Sequence, residues 1–171
     1  MSPAEKFVAC VGCGALVPDQ PGPTHRYMTS SPGCWEIYGQ VLAREYTDRA
    51  YASLHRLTVD AYAVQHPGTS SPQSIQSVGI HLLRLHLVLE RGFSDAAAAR
   101  VMPLLSRQKG RFHWLLPPPP MGGMTAVDVW RTSSTEQHRQ AVMEWAQAAW
   151  QAWAPHHDQV RCWLPKELRQ S

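Results

Sequence analysis

Eight glycines and prolines interrupt residues 12–33: Gly12, Gly14, Pro18, Pro21, Gly22, Pro23, Pro32 and Gly33. Proline lacks the backbone donor a helix needs and glycine resists being fixed in one, so this density of breakers excludes a long helix. Residues 1–34 therefore read as a looped segment. Its large apolar side chains are few, chiefly Phe7, Leu16, Tyr27 and Met28. Such a segment cannot build a core of its own, and Cys10-Val11-Gly12-Cys13-Gly14 lies inside it.

Two thiols two residues apart are half of a metal site, a redox pair or part of an unliganded loop. A redox pair normally opens a helix, whose positive end lowers the first thiol's pKa. Here Gly14 and Pro18 follow, and no helix begins. A tight turn carrying Cys-x-x-Cys-Gly instead aims two thiolates at one ion, as in a zinc knuckle. The N-terminus has neither the basic start nor the apolar stretch of a signal peptide, which predicts a cytoplasmic chain with reduced thiols. Structural Zn2+ takes four ligands. Cys34, in another Pro/Gly turn, is the obvious third. Cys162, in Arg-Cys-Trp-Leu-Pro, reads as a buried core thiol.

Beyond Cys34 the pattern becomes helical. Ile37 and Val41, and Tyr38 and Leu42, stand at helical spacing in a first helix that breaks near Thr47-Asp48. Asp48 is placed to cap a second helix over 49–65, with Leu54, Leu57, Ala61 and Val64 on one face, stopped by His66-Pro67-Gly68. Ser71-Pro72 opens a third, the most apolar and the expected centre of the core, reaching about Arg91 with Gly92 as its cap. A short helix follows Ser94-Asp95 and ends near Pro103. Pro117 to Pro120 read as polyproline, Met121-Gly122-Gly123 as a turn, and 125–130 as a short extended piece. Ser134 with Gln137 suggests a capping box for the last long helix, with Val142, Trp145, Ala149 and Trp153 as its buried stripe. The expected fold is mainly α: one domain over 1–171, a looped metal-binding segment at 1–34 and a helical body at 35–171.

Geometry ranks the histidines as the fourth ligand. If the first two helices form an antiparallel hairpin, residue 66 returns beside residue 34. His55 would lie about 16 Å back along the helix axis and could not share the ion. His25, nine residues before Cys34 in a flexible loop, can also reach. The order is His66, then His25, then His55. Asp60 and His55 are the candidates for acid-base chemistry. A hydrogen-bonded network fixing the hairpin is the plainer role for such polar groups. His86 and Glu90, four residues apart, are either co-ligands or an ordinary pair, and His81, His156 and His157 carry no assigned role.

Cys-Val-Gly-Cys-Gly, Ser-Pro-Gly-Cys-Trp and His-Arg-Leu-Thr-Val-Asp-Ala-Tyr-Ala-Val-Gln-His-Pro together resemble an uncharacterised bacterial family of unknown function. The likeness is densest over residues 10–91. It implies membership and no activity.

Composition narrows the function classes. Hydrophobic residues are 44% and charged residues 17%, as in a folded globular chain. Lys plus Arg number 16 against 13 Asp plus Glu, a net charge of +3 with no basic block, so nucleic-acid binding is not indicated. Apolar runs such as 85–89 are too short to span a membrane. Two readings remain. One is a structural-zinc module binding an unidentified protein or small molecule. The other is a zinc enzyme whose three-ligand site leaves a water for Asp60 or a histidine to activate.

Overall fold

The computed structural model describes residues 6–107, 110–119 and 123–169. The turn expected at Met121-Gly122-Gly123, with Pro120, falls mostly outside them. The N-terminal segment holds a two-stranded antiparallel hairpin, β1 (Phe7–Ala9) and β2 (Leu16–Pro18), with Val8 opposite Val17. The breakers that forbid a helix leave room for this short ribbon.

Helix α1 (Pro32–Thr47) starts on Pro32, whose fixed φ suits a first helical position. The second helix is shorter than its sequence suggests. Asp48 accepts from Ala50 N at 2.8 Å and so caps only a 3₁₀ turn, Arg49–Tyr51; α2 (His55–Gln65) begins afterwards with no side-chain cap. The unequal lengths of α1 and α2 do not prevent His66 from returning to the start of α1.

Helix α3 (Pro72–Leu85) is capped by Ser71, which accepts from Ser74 N, and runs into a π-helical turn over His86–Glu90. Helix α4 (Asp95–Ser106) continues through Pro103, where a stop was expected: a proline costs one hydrogen bond, and a single turn follows it. Residues 125–130 are not extended. Thr125 accepts from Val127 N, Asp128 returns to Thr125 N at 2.8 Å, and this capping box drives helix α5 (Ala126–Trp130) against the β preference of its valines.

In α6 (Thr135–Ala152) Ser134 accepts from Gln137 N, but the Gln137 side chain reaches Ser133 rather than Ser134. Its stripe of Val142, Trp145, Ala149 and Trp153 is buried as the spacing indicates. A further helix, α7 (His157–Trp163), was not expected. Its Val160 and Trp163 face the core while Cys162 turns outward, so Cys162 is exposed rather than a core thiol.

The element most enclosed is α2, not α3. It packs on α1, α3 and α6, and Ala61, Tyr62, Ala63 and Val64 are all at most 1% exposed. Two indoles lock α6 onto its C-terminal end: Trp145 Nε1 donates to Gln65 Oε1 at 2.8 Å and Trp153 Nε1 to the Val64 carbonyl at 3.1 Å. Each gives a large apolar body a satisfied polar tip.

A buried carboxylate ties the other end. Glu45 of α1 accepts from Thr58 Oγ1 at 2.5 Å, His138 Nε2 at 2.9 Å and His55 Nδ1 at 3.1 Å, joining α1, α2 and α6. Tyr46 and Arg44 engage the remaining ring nitrogens of His55 and His138. Removing the acceptor strands all three donors at a cost of about 1–3 kcal/mol for each buried one. Glu45→Ala is therefore expected to lower unfolding free energy by about 3 kcal/mol or more, with Glu45→Gln losing less. Denaturant titration reads both, and an unchanged midpoint in Glu45→Ala would contradict this account.

Candidate metal centre

The hairpin register brings Ala9 opposite Leu16, and beyond it Cys10 N donates to Ala15 O at 2.7 Å. Gly14 N then closes on Cys10 O at 2.9 Å. Gly14 has φ +78°, a left-handed conformation that costs glycine little, and it lets the chain double back with both thiols on one side.

Cys34 reaches the same place from the first turn of α1, and His66 from the residue that ends α2. The ligand atoms of Cys10, Cys13, Cys34 and His66 all lie within 4.8 Å of one another, and all four residues are buried. Cys10 Sγ is 3.6 Å and Cys34 Sγ 3.5 Å from His66 Nε2, and the thiols of Cys13 and Cys34 are 3.8 Å apart.

The surroundings orient these donors. His66 Nδ1 donates to the Tyr62 carbonyl at 2.8 Å, which leaves Nε2 with its lone pair facing the sulfurs. The imidazole stacks on Tyr62 at 3.9 Å, and Tyr62 on Tyr38 at 3.7 Å, so the ring is clamped from its face. Ser31 N donates to Cys10 Sγ at 3.4 Å and the Tyr62 hydroxyl lies 3.8 Å from Cys34 Sγ. Ser31 Oγ accepts from Val11 N, binding the knuckle to the start of α1.

Their crowding sets the three thiols apart in acidity. Hydrogen bonds from Cys13 and Cys34 hold Cys10 far below the ordinary thiol value, against burial. The same contacts push Cys13 up to about 12, chiefly through Cys10, and Cys34 higher still through Cys10 and Cys13. Three buried sulfurs become thiolates together only around a cation. The donor set fits a thiophilic metal.

The remaining candidates lie elsewhere. His25 packs edge-on to Tyr27 and beside Trp35, and its Nδ1 accepts from Tyr27 N at 3.4 Å. Burial lowers its pKa. His55 belongs to the Glu45 network. Asp60 faces α3, bonded by His81 Nδ1 at 2.8 Å and beside Arg84 Nε at 2.9 Å. Burial raises its pKa, opposed by His81 and by the Arg84 charge. His86 Nδ1 donates to Glu90 at 2.8 Å, and Glu90 also accepts from Trp150 Nε1 at 3.1 Å and from Arg161 Nη2 at 3.0 Å, so the two belong to a network that ties the π-helical turn to α6 and α7. The roles of Ser31 and Tyr62 around the sulfurs went unread in the sequence; Tyr62 four residues before His66 was the available sign.

The chain is thus a mainly helical protein with a buried Cys3His cluster able to hold a metal ion. It belongs to a family of unknown function, DUF5946, whose model matches residues 8–154. That span takes in all four cluster residues. Comparison with curated proteins and with solved structures returned no match.

Gly12 sits where no side chain fits. A Cβ there would be 2.1 Å from the Thr29 carbonyl oxygen and 2.5 Å from His66 Cδ2. Gly12→Ala is expected to lift the knuckle off His66, cost about 1–3 kcal/mol and lower the bound metal. Metal analysis with thermal melting checks this, and wild-type values for both would refute it.

Proposed function

We propose that the Cys3His cluster holds one structural zinc ion, and that the chain is a binding module whose N-terminal hairpin is clamped to the helical body by that ion. The observation that carries this reading is the spacing of the donors. A tetrahedral ion with Zn–S about 2.3 Å and Zn–N about 2.0–2.1 Å requires S···S edges of about 3.8 Å and S···N edges of about 3.5–3.6 Å. The cluster has 3.8 Å for Cys13–Cys34 and 3.5 and 3.6 Å for the two sulfur–imidazole edges. Four protein donors complete the shell, as structural sites do, whereas catalytic sites keep a position for water.

The binding part of the reading draws on the hairpin's outer side. Phe7, Val11 and Leu16 are 52%, 64% and 65% exposed there, beside Trp130 at 40%. Large apolar groups gathered on one small ribbon suit a protein partner. The enzyme reading is weaker because its acid-base candidates, Asp60 and His55, are engaged in other networks, away from the sulfurs. No helix among the described residues is long and apolar enough to cross a membrane.

Protein purified without added metal is expected to carry about one zinc per chain, by elemental analysis. His66→Ala and Cys34→Ala should lose zinc and stability together, while His55→Ala keeps its zinc. Full occupancy in His66→Ala would sink the assignment of the fourth ligand.

Chelation should loosen the N-terminal segment before the helices. Structural zinc supplies on the order of 10 kcal/mol of folding free energy in small zinc peptides, and the hairpin has little core of its own. Limited proteolysis after chelation is expected to cut first within residues 14–33. Unchanged protection there would show that packing alone holds the segment.

A further inference from the structure

A cavity of about 280 Å³ opens beside the cluster, where the knuckle meets the end of α2 and the last turns of α6. Gly12 and Cys13 line it together with Gln65, Pro67, Ala149 and Trp153, and it reaches the surface at the exposed residues Pro119, Gly123 and Gln151. Of the four cluster residues, Cys13 alone is part of its wall. A water molecule occupies about 30 Å³ of the liquid, so a solute of similar size has ample room beside the knuckle.

Cys13 also has a thiol neighbour outside its own turn. Its sulfur lies 3.8 Å from that of Cys34, in the first turn of α1 and 21 residues away in sequence. A disulfide is about 2 Å long, so the pair has only about another 2 Å to close. Cys13 sits in the turn of a short two-stranded ribbon, where such a displacement disturbs little else. Cys10 is engaged on other sides, by Ser31 N at 3.4 Å and by His66 Nε2 at 3.6 Å. The pairing marked out here therefore runs between two segments, not within Cys-x-x-Cys.

From this placement we infer that the metal centre is a redox switch: hydrogen peroxide entering the cavity joins Cys13 to Cys34, expels the zinc and leaves the hairpin fastened to α1 alone. The inference rests on the zinc reading, under which all three sulfurs are thiolates. The Cys13 sulfur attacks one peroxide oxygen; an S–O bond forms, the O–O bond breaks, and hydroxide leaves, becoming water on taking a proton from solvent. The Cys34 thiolate then attacks the sulfenic sulfur; the S–S bond forms, the S–O bond breaks, and a second hydroxide leaves and is protonated in turn. The two thiolates have lost two electrons and the peroxide has gained them. Cys10 and His66 are left as half of a structural shell, and the ion departs. What changes is the fastening. Zinc ties the knuckle to α1 through Cys34 and to the end of α2 through His66, whereas the disulfide ties it to α1 only. The seam between knuckle and α2, where the cavity lies, is the one released.

The test treats the full chain as purified with a few equivalents of hydrogen peroxide and follows zinc with a weak chromophoric chelator. Zinc content is measured first. A zinc-free chain sinks the zinc reading and the switch with it, whereas a loaded chain that resists peroxide sinks the switch alone. About one zinc should leave per disulfide formed, and a dithiol with added zinc should restore the loaded state. Tryptic peptides 7–26 and 27–44 should be found joined, with fragmentation between Cys10 and Cys13 placing the link at Cys13. Proteolysis separates the switch from simple metal loss. The oxidised chain should be cut within residues 14–33 more slowly than the chelated, reduced chain, because the new bond closes that stretch into a loop. Three results would overturn the switch: zinc retained at a dose that oxidises the exposed Cys162, a link between Cys10 and Cys13, or cleavage within 14–33 as fast as after chelation.

Discussion

Three sulfurs and an imidazole buried within 4.8 Å of one another set the terms for the rest of the N-terminal half. Without a cation these groups crowd one another, with Cys10 drawn below the ordinary thiol value by its neighbours and Cys13 and Cys34 pushed above it. With one, every donor is satisfied at once. The cluster also joins segments far apart in sequence: Cys10 and His66 are separated by 56 residues, and of the hairpin's strands β2 packs on α1. Local propensity could not hold a three-residue ribbon on a helical body. The structure therefore spends its fixed contacts, from Ser31, Tyr62 and Gly12, on aiming the donors.

Helix α2 relates this cluster to everything else. Its last residue leads to His66, its middle presents Asp60 to α3, and its first turns deliver His55 and Thr58 to Glu45. The faces between are filled by Ala61, Ala63 and Val64, against which α6 lays its tryptophans. A helix buried on nearly all sides must satisfy each of its polar side chains individually, and each satisfied group then fixes a neighbour. This is why a helix with so little amphipathic contrast is the centre of the fold, while the more strongly patterned α3 lies beside it.

The cluster was largely legible in sequence because its evidence is local. Cys-x-x-Cys-Gly excludes helix, Pro-Gly-Cys marks a second turn, and a helix ending at His66-Pro67 places an imidazole at a terminus. Only one tertiary assumption, that α2 runs back along α1, was needed to rank His66 above His25. The errors have local causes too. Asp48 signals a cap but not how long the capped element will be, so the second helix came out too long. Thr125 and Asp128 form a box that the valines between and after them disguise. Cys162 looked apolar from its neighbours, but α7 buries positions three apart and sends the two residues between them, Arg161 and Cys162, outward. Asp60 was legible as a buried polar residue and illegible as a partner of His81, because pairing between helices depends on rotation about each axis, which periodicity alone leaves open.

The two ends of α2 are separable in energy as well as in space. Asp60 and His66 are six residues apart, which places them about 9 Å apart along the axis and about 120° apart around it. Their partners do not overlap: Asp60 engages His81 and Arg84, and His66 engages Tyr62 and the sulfurs. Contributions from groups at such distances with no shared partner normally add with little coupling. The cluster can therefore hold the hairpin independently of the Asp60, His81 and Arg84 contacts between α2 and α3. Both networks are mounted on α2, whose Ala61, Tyr62, Ala63 and Val64 are at most 1% exposed, so each starts from the same buried support while drawing on different neighbours.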